Sequence, residues 1–471
     1  MATRPPFAAK WSRIALTWLP FADAASDDLP LRRLLRLALF QVSVGLATVL
    51  LNGTLNRVMI VELHVPTWLV ATLIAIPLVA APFRALIGHK SDTHRSLLGW
   101  RRVPYIWFGT LMQFGGLAIM PFGLLLMGRP GDFAIGVTAS ALAFVLTGFG
   151  IHTTQTAGLA LATDLAPADK RPRAVALLYV MLLAGMMIAA FAFGSILADF
   201  TPTRLVQVVQ GSAVLTFMLN IVALWKQEAR STAVVAVAAP RPSFRDVWQT
   251  YAAAPDAMRL LVAIGLGSAA FAMQDALLEP FGGEILGMTV GQTTTLTGAW
   301  ALGTLGGFAF AARWLDRGND PLRISGLGAV IGVAAFLQIL FAAPLAVPGL
   351  MASGALTIGL GLGLFSVGTL VAAMALGRDS GSGIALGAWG AVQASCAGLA
   401  IALGGALRDI VSSLALADEL GTTLALRATG YGVVYLLEIG LLLATLVVLG
   451  PLVGRLDDRG QPGFGLTEFP T

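Results

Sequence analysis

The stretch Arg84-Ala-Leu-Ile-Gly88-His-Lys-Ser-Asp92-Thr-His-Arg95 has a counterpart 224 residues further on, Ala312-Arg313-Trp-Leu-Asp316-Arg317-Gly318. In both, an acidic residue stands four residues after a small one, among basic residues and at the end of an apolar run. A motif that returns at equivalent places in two series of apolar runs marks a duplicated unit. The chain around it has 471 residues, 57% hydrophobic and 12% charged. An ordinary soluble domain carries about 25% charged residues. Half that share cannot cover a water-facing surface of this size. The composition excludes a soluble enzyme, a disordered chain and, despite a formal net charge of +5, a nucleic-acid binder. It requires an all-α polytopic membrane protein. The 54 glycines agree, because membrane helices use small residues to pack closely. The single Cys396 forms no intramolecular disulfide, and four His with one Cys offer no metal-ligand spacing.

A span needs about 20 mainly apolar residues. Twelve stretches qualify: 36–60, 67–88, 103–127, 133–158, 174–198, 204–225, 259–281, 291–312, 322–343, 349–375, 383–406 and 430–453. With both termini in the cytoplasm, 25 of the 30 Lys and Arg residues fall on the cytoplasmic side. Only Arg57, Arg129, Arg204, Arg408 and Arg427 fall on the other. A missed or invented helix would scramble that alternation, so the positive-inside rule supports twelve spans. The chain then divides into a cytoplasmic leader at 1–33, a six-helix bundle at 34–225, a cytoplasmic linker at 226–258, a second six-helix bundle at 259–454 and a tail at 455–471. Within the leader, residues 7–21 mix Trp11, Trp18 and Leu19 with Lys10 and Arg13, as an interfacial helix does.

Two parallel six-helix repeats are the mark of the major facilitator fold. The repeated motif resembles that fold's signature of Gly, three residues, Asp, then basic residues. There the carboxylate helps to hold the cytoplasmic side closed. Arg84, Gly88, Asp92, Arg95, Asp316 and Arg317 are the candidates for that closure. The first copy departs from the pattern at Thr93-His94, and the second has Ala312 in place of Gly. The plain alternative is two sets of solvated loop charges.

The same offset relates polar residues inside the spans. Asn52 and Asn56 shift to 276 and 280, beside Asp275 and Glu279. Each pair has i,i+4 spacing and so shares one face of a regular helix. Position 52 lies about 24 Å from the start of its span at 1.5 Å per residue, in the outer part of the bundle. Arg57 is placed to reach Asp275 or Glu279. An ionisable group in a span costs roughly 2.5–3.5 kcal/mol on insertion scales and is functional by default. The cluster reads equally as a binding site and as an outer lock. His152, in the fourth span, is a candidate axial ligand or hydrogen-bonding group, with Gln155 three residues on. The bland reading is a His bonded to a neighbouring Thr or carbonyl. Glu438 stands alone in the twelfth span, where it is expected to face a partner or lipid headgroups. The runs Gly359, Gly361, Gly363 and Gly381, Gly383, Gly387 read as packing signals. No P-loop Lys and no nucleophilic triad is present, so no enzyme activity is expected.

Several stretches resemble one family: Leu51-Asn-Gly-Thr-Leu-Asn-Arg-Val-Met-Ile-Val-Glu-Leu63, the 82–95 segment, Gly99-Trp-Arg-Arg-Val-Pro-Tyr105, Thr153-Thr-Gln-Thr-Ala-Gly-Leu-Ala-Leu-Ala-Thr-Asp-Leu165 and Met273-Gln-Asp-Ala-Leu-Leu-Glu-Pro-Phe-Gly-Gly-Glu284. Together they are similar to the PucC/LhaA family of phototrophic bacteria, also called the bacteriochlorophyll delivery family. The resemblance implies the facilitator fold and a multi-pass protein of the intracytoplasmic photosynthetic membrane. It implies a light-harvesting complex assembly factor with bacteriochlorophyll as bound cargo. The implied partners are the light-harvesting α and β polypeptides, bacteriochlorophyll synthase, the reaction centre and membrane lipid. His152, Gln155, Asn52, Asn56 and Gln274 are then the pigment- or substrate-binding candidates. Arg57, Asp275 and Glu279 form the polar outer cluster. An apolar cleft with a few polar groups suits an amphipathic macrocycle. Two other functions stay open. One is a proton-coupled secondary transporter of a small amphipathic solute, with Asp275 or Glu279 carrying the proton. The other is a non-transporting scaffold.

Overall fold

The structure is a computed structural model that describes residues 29–79, 100–129, 131–167, 170–228, 253, 256–376 and 382–454. Each of the twelve expected spans holds a helix. In the first half these are α1 (Leu31–Thr48, continued by π-helical turns at Val49–Leu55 and Val58–Glu62), α2 (Thr67–Val79), α3 (Val103–Met127), α4 (Phe133–Leu165), α5 (Arg171–Ile196) and α6 (Pro202–Leu224). In the second half they are α7 (Ala257–Ala272) with α8 (Leu278–Leu286), α9 (Val290–Asp316), α10 (Pro321–Leu345), α11 (Pro348–Leu376), α12 (Ser382–Leu416) and α13 (Ala428–Leu449). Among the described residues, ten helices are long and apolar enough to cross a membrane. The described part of α2 is shorter, and α9 is diluted by Gln292, Thr293, Thr294, Thr295 and Thr297. The leader helix, most of the linker, the tail and the second part of the 67–88 span lie outside the described residues. So do Arg84, Gly88, Asp92 and Arg95.

Glycine spacing explains the tight pairing inside each half. On α3, Gly109, Gly116 and Gly123 recur every seven residues, and each lies against α4. A Cβ at Gly116 would stand 2.7 Å from the Ala143 carbonyl. On α11, Gly354, Gly361 and Gly368 repeat the same spacing against α10, while Gly359 and Gly363 meet α9. The expected packing role of the 359–363 run is therefore borne out. Gly387, by contrast, has nothing within 4 Å of a built Cβ.

The helix starts are tied down by carboxylates. Glu228, just after α6, accepts the backbone N–H groups of Arg101, Arg102 and Val103 at 2.6, 3.0 and 2.9 Å. Asp320 caps α10 through Leu322 N–H at 2.7 Å and takes Gly454 N–H, beyond α13, at 2.7 Å. In both halves the sixth helix thus returns to the start of the third, as a duplication requires.

One expected span is not straight. The run 259–281 breaks into α7, a 3-10 turn at Met273–Ala276, and α8. Pro280 supplies the cause. It has no N–H to give the Ala276 carbonyl, and its ring crowds that same carbonyl. Asp275 and Glu279 therefore do not share one regular helix face as expected. Asp275 sits in the turn and Glu279 in the first turn of α8.

The halves meet through two helix pairs, α2 with α12 and α5 with α9. Small residues permit both contacts. Gly405 lies against Ala71 and Thr67, and Gly291 packs on Ala198 and the Gly194 carbonyl.

Candidate functional site

The polar cluster assembles where the π-helical end of α1 meets the break after α7. A π turn inserts a residue and leaves carbonyls off the regular ladder. Asn56 uses one of them, donating from Nδ2 to the Asn52 carbonyl at 3.1 Å. The same nitrogen donates across the halves to the Asp275 carbonyl at 3.3 Å. Thr54 and Thr294 share a hydroxyl hydrogen bond of 3.2 Å, also between halves. Gly53 presents a bare Cα to the Glu279 carboxylate and Thr297, with no room for a Cβ. Glu279 is 3% exposed, accepts from Thr297 Oγ1 at 2.6 Å, and buries Oε2 with no hydrogen bond.

Arg57 does not make the expected ion pair with Asp275 or Glu279. Its Nη1 pairs with Glu62 Oε1 at 2.5 Å, five residues along the same chain segment. Its Nη2 donates to the Met288 carbonyl at 3.1 Å. The guanidinium lies over Gly283, where a Cβ would stand 3.0 Å from Nε. Arg57 thus joins the halves through a second-half backbone carbonyl and not through a carboxylate. Near it a cavity of about 250 Å³ is lined by Val58, Glu62 and Leu63 with Pro121, Leu124 and Leu205.

A second network, not foreseen, closes the same end. Arg408 binds the Glu284 carboxylate, the Tyr431 hydroxyl at 3.0 Å and Asp409 Oδ1 at 2.8 Å. Tyr431 donates to Glu284 at 2.8 Å. Asp409 Oδ2 then accepts the Trp68 backbone N–H at 2.8 Å, capping α2 from the other half. The adjacent Arg408-Asp409 and the Glu284 that ends a quoted motif were the available signals.

Glu438 corrects another expectation. It faces neither a partner nor lipid headgroups, because it is fully buried. Neither of its oxygens has a hydrogen bond. Gln274, 2% exposed, directs its amide nitrogen at the Asp275 carboxylate and leaves Oε1 unbonded. Asp275 itself is half-buried.

The structure brings Asn52, Asn56, Arg57, Gln274, Asp275 and Glu279 together. His152 and Gln155 sit apart, on α4. His152 is buried and already engaged with another group of the protein, and Gln155 is half-buried. Around His152, Gln113 donates to the Gly150 carbonyl at 3.1 Å and to Thr154 Oγ1 at 2.9 Å. Asp316 and Arg317 are exposed and make no ion pair among the described residues. Interhalf contacts thus join the two bundles at the Arg57 end. Among the described residues no group of three or more His, Cys, Asp or Glu is placed to hold a metal.

Comparison with known proteins places this geometry. The POT family transporter PepTSo has the same fold, with a TM-score of 0.63 at 12% identity over 91% of this chain and 99% of that one. The chain is 53% identical over 468 residues to the "Uncharacterized protein in puhA-bchM intergenic region" of Rhodobacter capsulatus, covering 97% of this chain and 98% of that one. It is 55% identical over 402 residues to "Protein PucC" of Rhodovulum sulfidophilum, covering 84% and 88%. The sequence profile of the family described as PUCC protein matches residues 54–456. A membrane protein with the major facilitator fold, the chain belongs to the PucC family.

Proposed function

We propose that the protein is an assembly factor for light-harvesting complexes. In this reading it holds or delivers bacteriochlorophyll and docks the antenna α and β polypeptides, in contact with bacteriochlorophyll synthase and the reaction centre. All twelve helices span the photosynthetic membrane, with both termini and the Asp316 end on the cytoplasmic side. The observation that carries the reading is the match to the PUCC family across residues 54–456. The interior chemistry supports it. Its first half offers neutral amides and hydroxyls in its spans, which suit ring carbonyls of an amphipathic macrocycle better than a free ion. The half-buried Asn52 and Gln155 are the accessible candidates for contact with cargo.

The test is purification of the tagged protein from pigmented cells. Co-purifying pigment and antenna polypeptides, and loss of antenna assembly on deletion, are expected. Protein free of both, from cells whose antenna assembles normally without it, would overturn the reading. A second reading, proton-coupled transport of an amphipathic solute, is favoured by the buried Glu279 on a broken helix. It predicts flux driven by a pH gradient in liposomes, abolished by Glu279→Gln.

A further inference from the structure

The cavity beside Arg57 has a floor and a rim of different chemistry. It encloses about 250 Å³ between the end of α1, the end of α3 and the start of α6. Val58, Leu124 and Val209 form the floor, each 5% exposed or less. Leu125, 47% exposed, and Glu62, 38% exposed at its side chain, stand at the rim. Along α6 the lining runs from Pro202 to Val209, about 10 Å at 1.5 Å per residue. Among the described lining residues, Glu62 alone carries a polar side chain.

The floor sets one end of the ligand. Apolar space inside a protein stays dry and takes up apolar guests, and about 150 Å³ is enough for benzene. Pockets that enclose a drug-sized molecule run from about 300 Å³ upward. A macrocycle is therefore too large for this cavity, while a length of hydrocarbon chain fits its depth along α6. Phe122, beside Pro121 on α3, is 61% exposed. Exposed apolar surface of this kind on a spanning helix meets lipid, so the rim borders the bilayer.

The rim sets the other end. Glu62 bonds Arg57 Nη1 through Oε1 and has no other partner among the described residues. A carboxylate accepts on both oxygens, so Oε2 is left to accept from a head group. The ester that ends a chlorin's tail brings only acceptors and does not answer it. An ammonium brings three donors and a charge-assisted bond.

We propose that the cavity is a site for a membrane lipid with an amino head group, of the phosphatidylethanolamine class. One acyl chain fills the space between α1, α3 and α6, and the ammonium donates to Glu62. The same carboxylate holds Arg57, whose Nη2 bonds the Met288 carbonyl of the second half. The lipid head thus stands one side chain away from a contact between the halves. The site does not depend on the pigment reading.

Lipid retention tests it. The purified full chain is reconstituted in nanodiscs of equal parts dioleoyl-phosphatidylethanolamine and dioleoyl-phosphatidylcholine, then released for native mass spectrometry. The two lipids share their chains, and choline has no N–H to donate. The wild type is expected to keep the ethanolamine lipid in roughly tenfold preference, within the range of a hydrogen bond to a charged group. Glu62→Gln should lose most of that preference. Val206→Trp, which fills the cavity from its half-buried wall, should lose the retained lipid itself. Equal retention of the two lipids by the wild type overturns the proposal. So does a preference that survives either substitution, since the lipid would then be held elsewhere on the surface. If Glu62→Gln does not fold, Val206→Trp decides alone.

Discussion

Asp409→Ala isolates one contact between the halves. Asp409 accepts the Trp68 N–H, in the first turn of α2, at 2.8 Å and stands 19% exposed at its side chain. The first N–H groups of a helix have no partner within it. Losing a capping acceptor costs about 0.5–2 kcal/mol, and hydrogen bonds to charged groups lie at the upper end of that range. Partial exposure lets water replace part of the bond, so about 1–2 kcal/mol is the working figure, a factor of roughly 5–30 in a local equilibrium. Arg408 loses its 2.8 Å bond to Asp409 Oδ1, but its contacts with Glu284 and Tyr431 do not pass through Asp409 and persist. Hydrogen exchange at the Trp68 amide should therefore accelerate roughly 5–30-fold in Asp409→Ala, with the α13 amides near Tyr431 unchanged. Asp409→Asn keeps an acceptor oxygen and should recover most of the protection. Unchanged exchange at Trp68, or equal acceleration at Tyr431, would refute the assignment of Asp409 as a cap reaching across the halves.

Thr297→Val removes the 2.6 Å hydrogen bond to the buried Glu279 carboxylate and should cost about 1–3 kcal/mol, read as a lower Tm. The double variant with Glu279→Gln should recover part of the loss, and a purely additive pair would contradict the contact. Gly116→Leu drives a side chain into the Ala143 carbonyl and Thr147. It should cost at least about 1–3 kcal/mol, seen as loss of the monodisperse peak on heating, whereas Gly115→Leu, with nothing within 4 Å, should be tolerated. Glu228→Ala removes the acceptor for three N–H groups at the start of α3. Exchange at residues 101–103 should rise more than tenfold if even about 1.5 kcal/mol is lost, and Glu228→Gln should be intermediate.

Much of the fold was legible because charge and apolarity are counted along the chain. Each of the twelve apolar runs holds a helix among the described residues. What escaped was local. Pro280 announced a break at Ala276, yet the polar pairs were read on an unbroken helix. The π turns of α1 have no comparable marker in the sequence. Glu438 lies on a buried face of α13 that its own sequence spacing marks. Tyr431, Tyr435, Glu438, Leu442, Thr445 and Leu449 recur at three- and four-residue steps, and all six are buried. The Arg57 contact was half legible. Its cation and location were readable, but a backbone carbonyl as acceptor has no sequence signature.

The closed end is held by few bonds. Asn56 to the Asp275 carbonyl, Thr54 to Thr294, Arg57 to the Met288 carbonyl and Trp68 to Asp409 are direct hydrogen bonds joining the halves there. At about 0.5–1.5 kcal/mol net for each neutral bond, and somewhat more for the two that involve a charged group, they sum to roughly 4–9 kcal/mol. Water that enters on opening repairs part of that loss. Moving a two-state equilibrium from 1:99 to 99:1 takes about 5.5 kcal/mol of differential affinity. A single cargo or partner helix that prefers the open form can supply an energy of that size. The irregular backbone is what keeps the cost low. The π-helical end of α1 meets the broken helix through a directional bond to a spare carbonyl, beside the close packing of α2 on α12 and of α5 on α9.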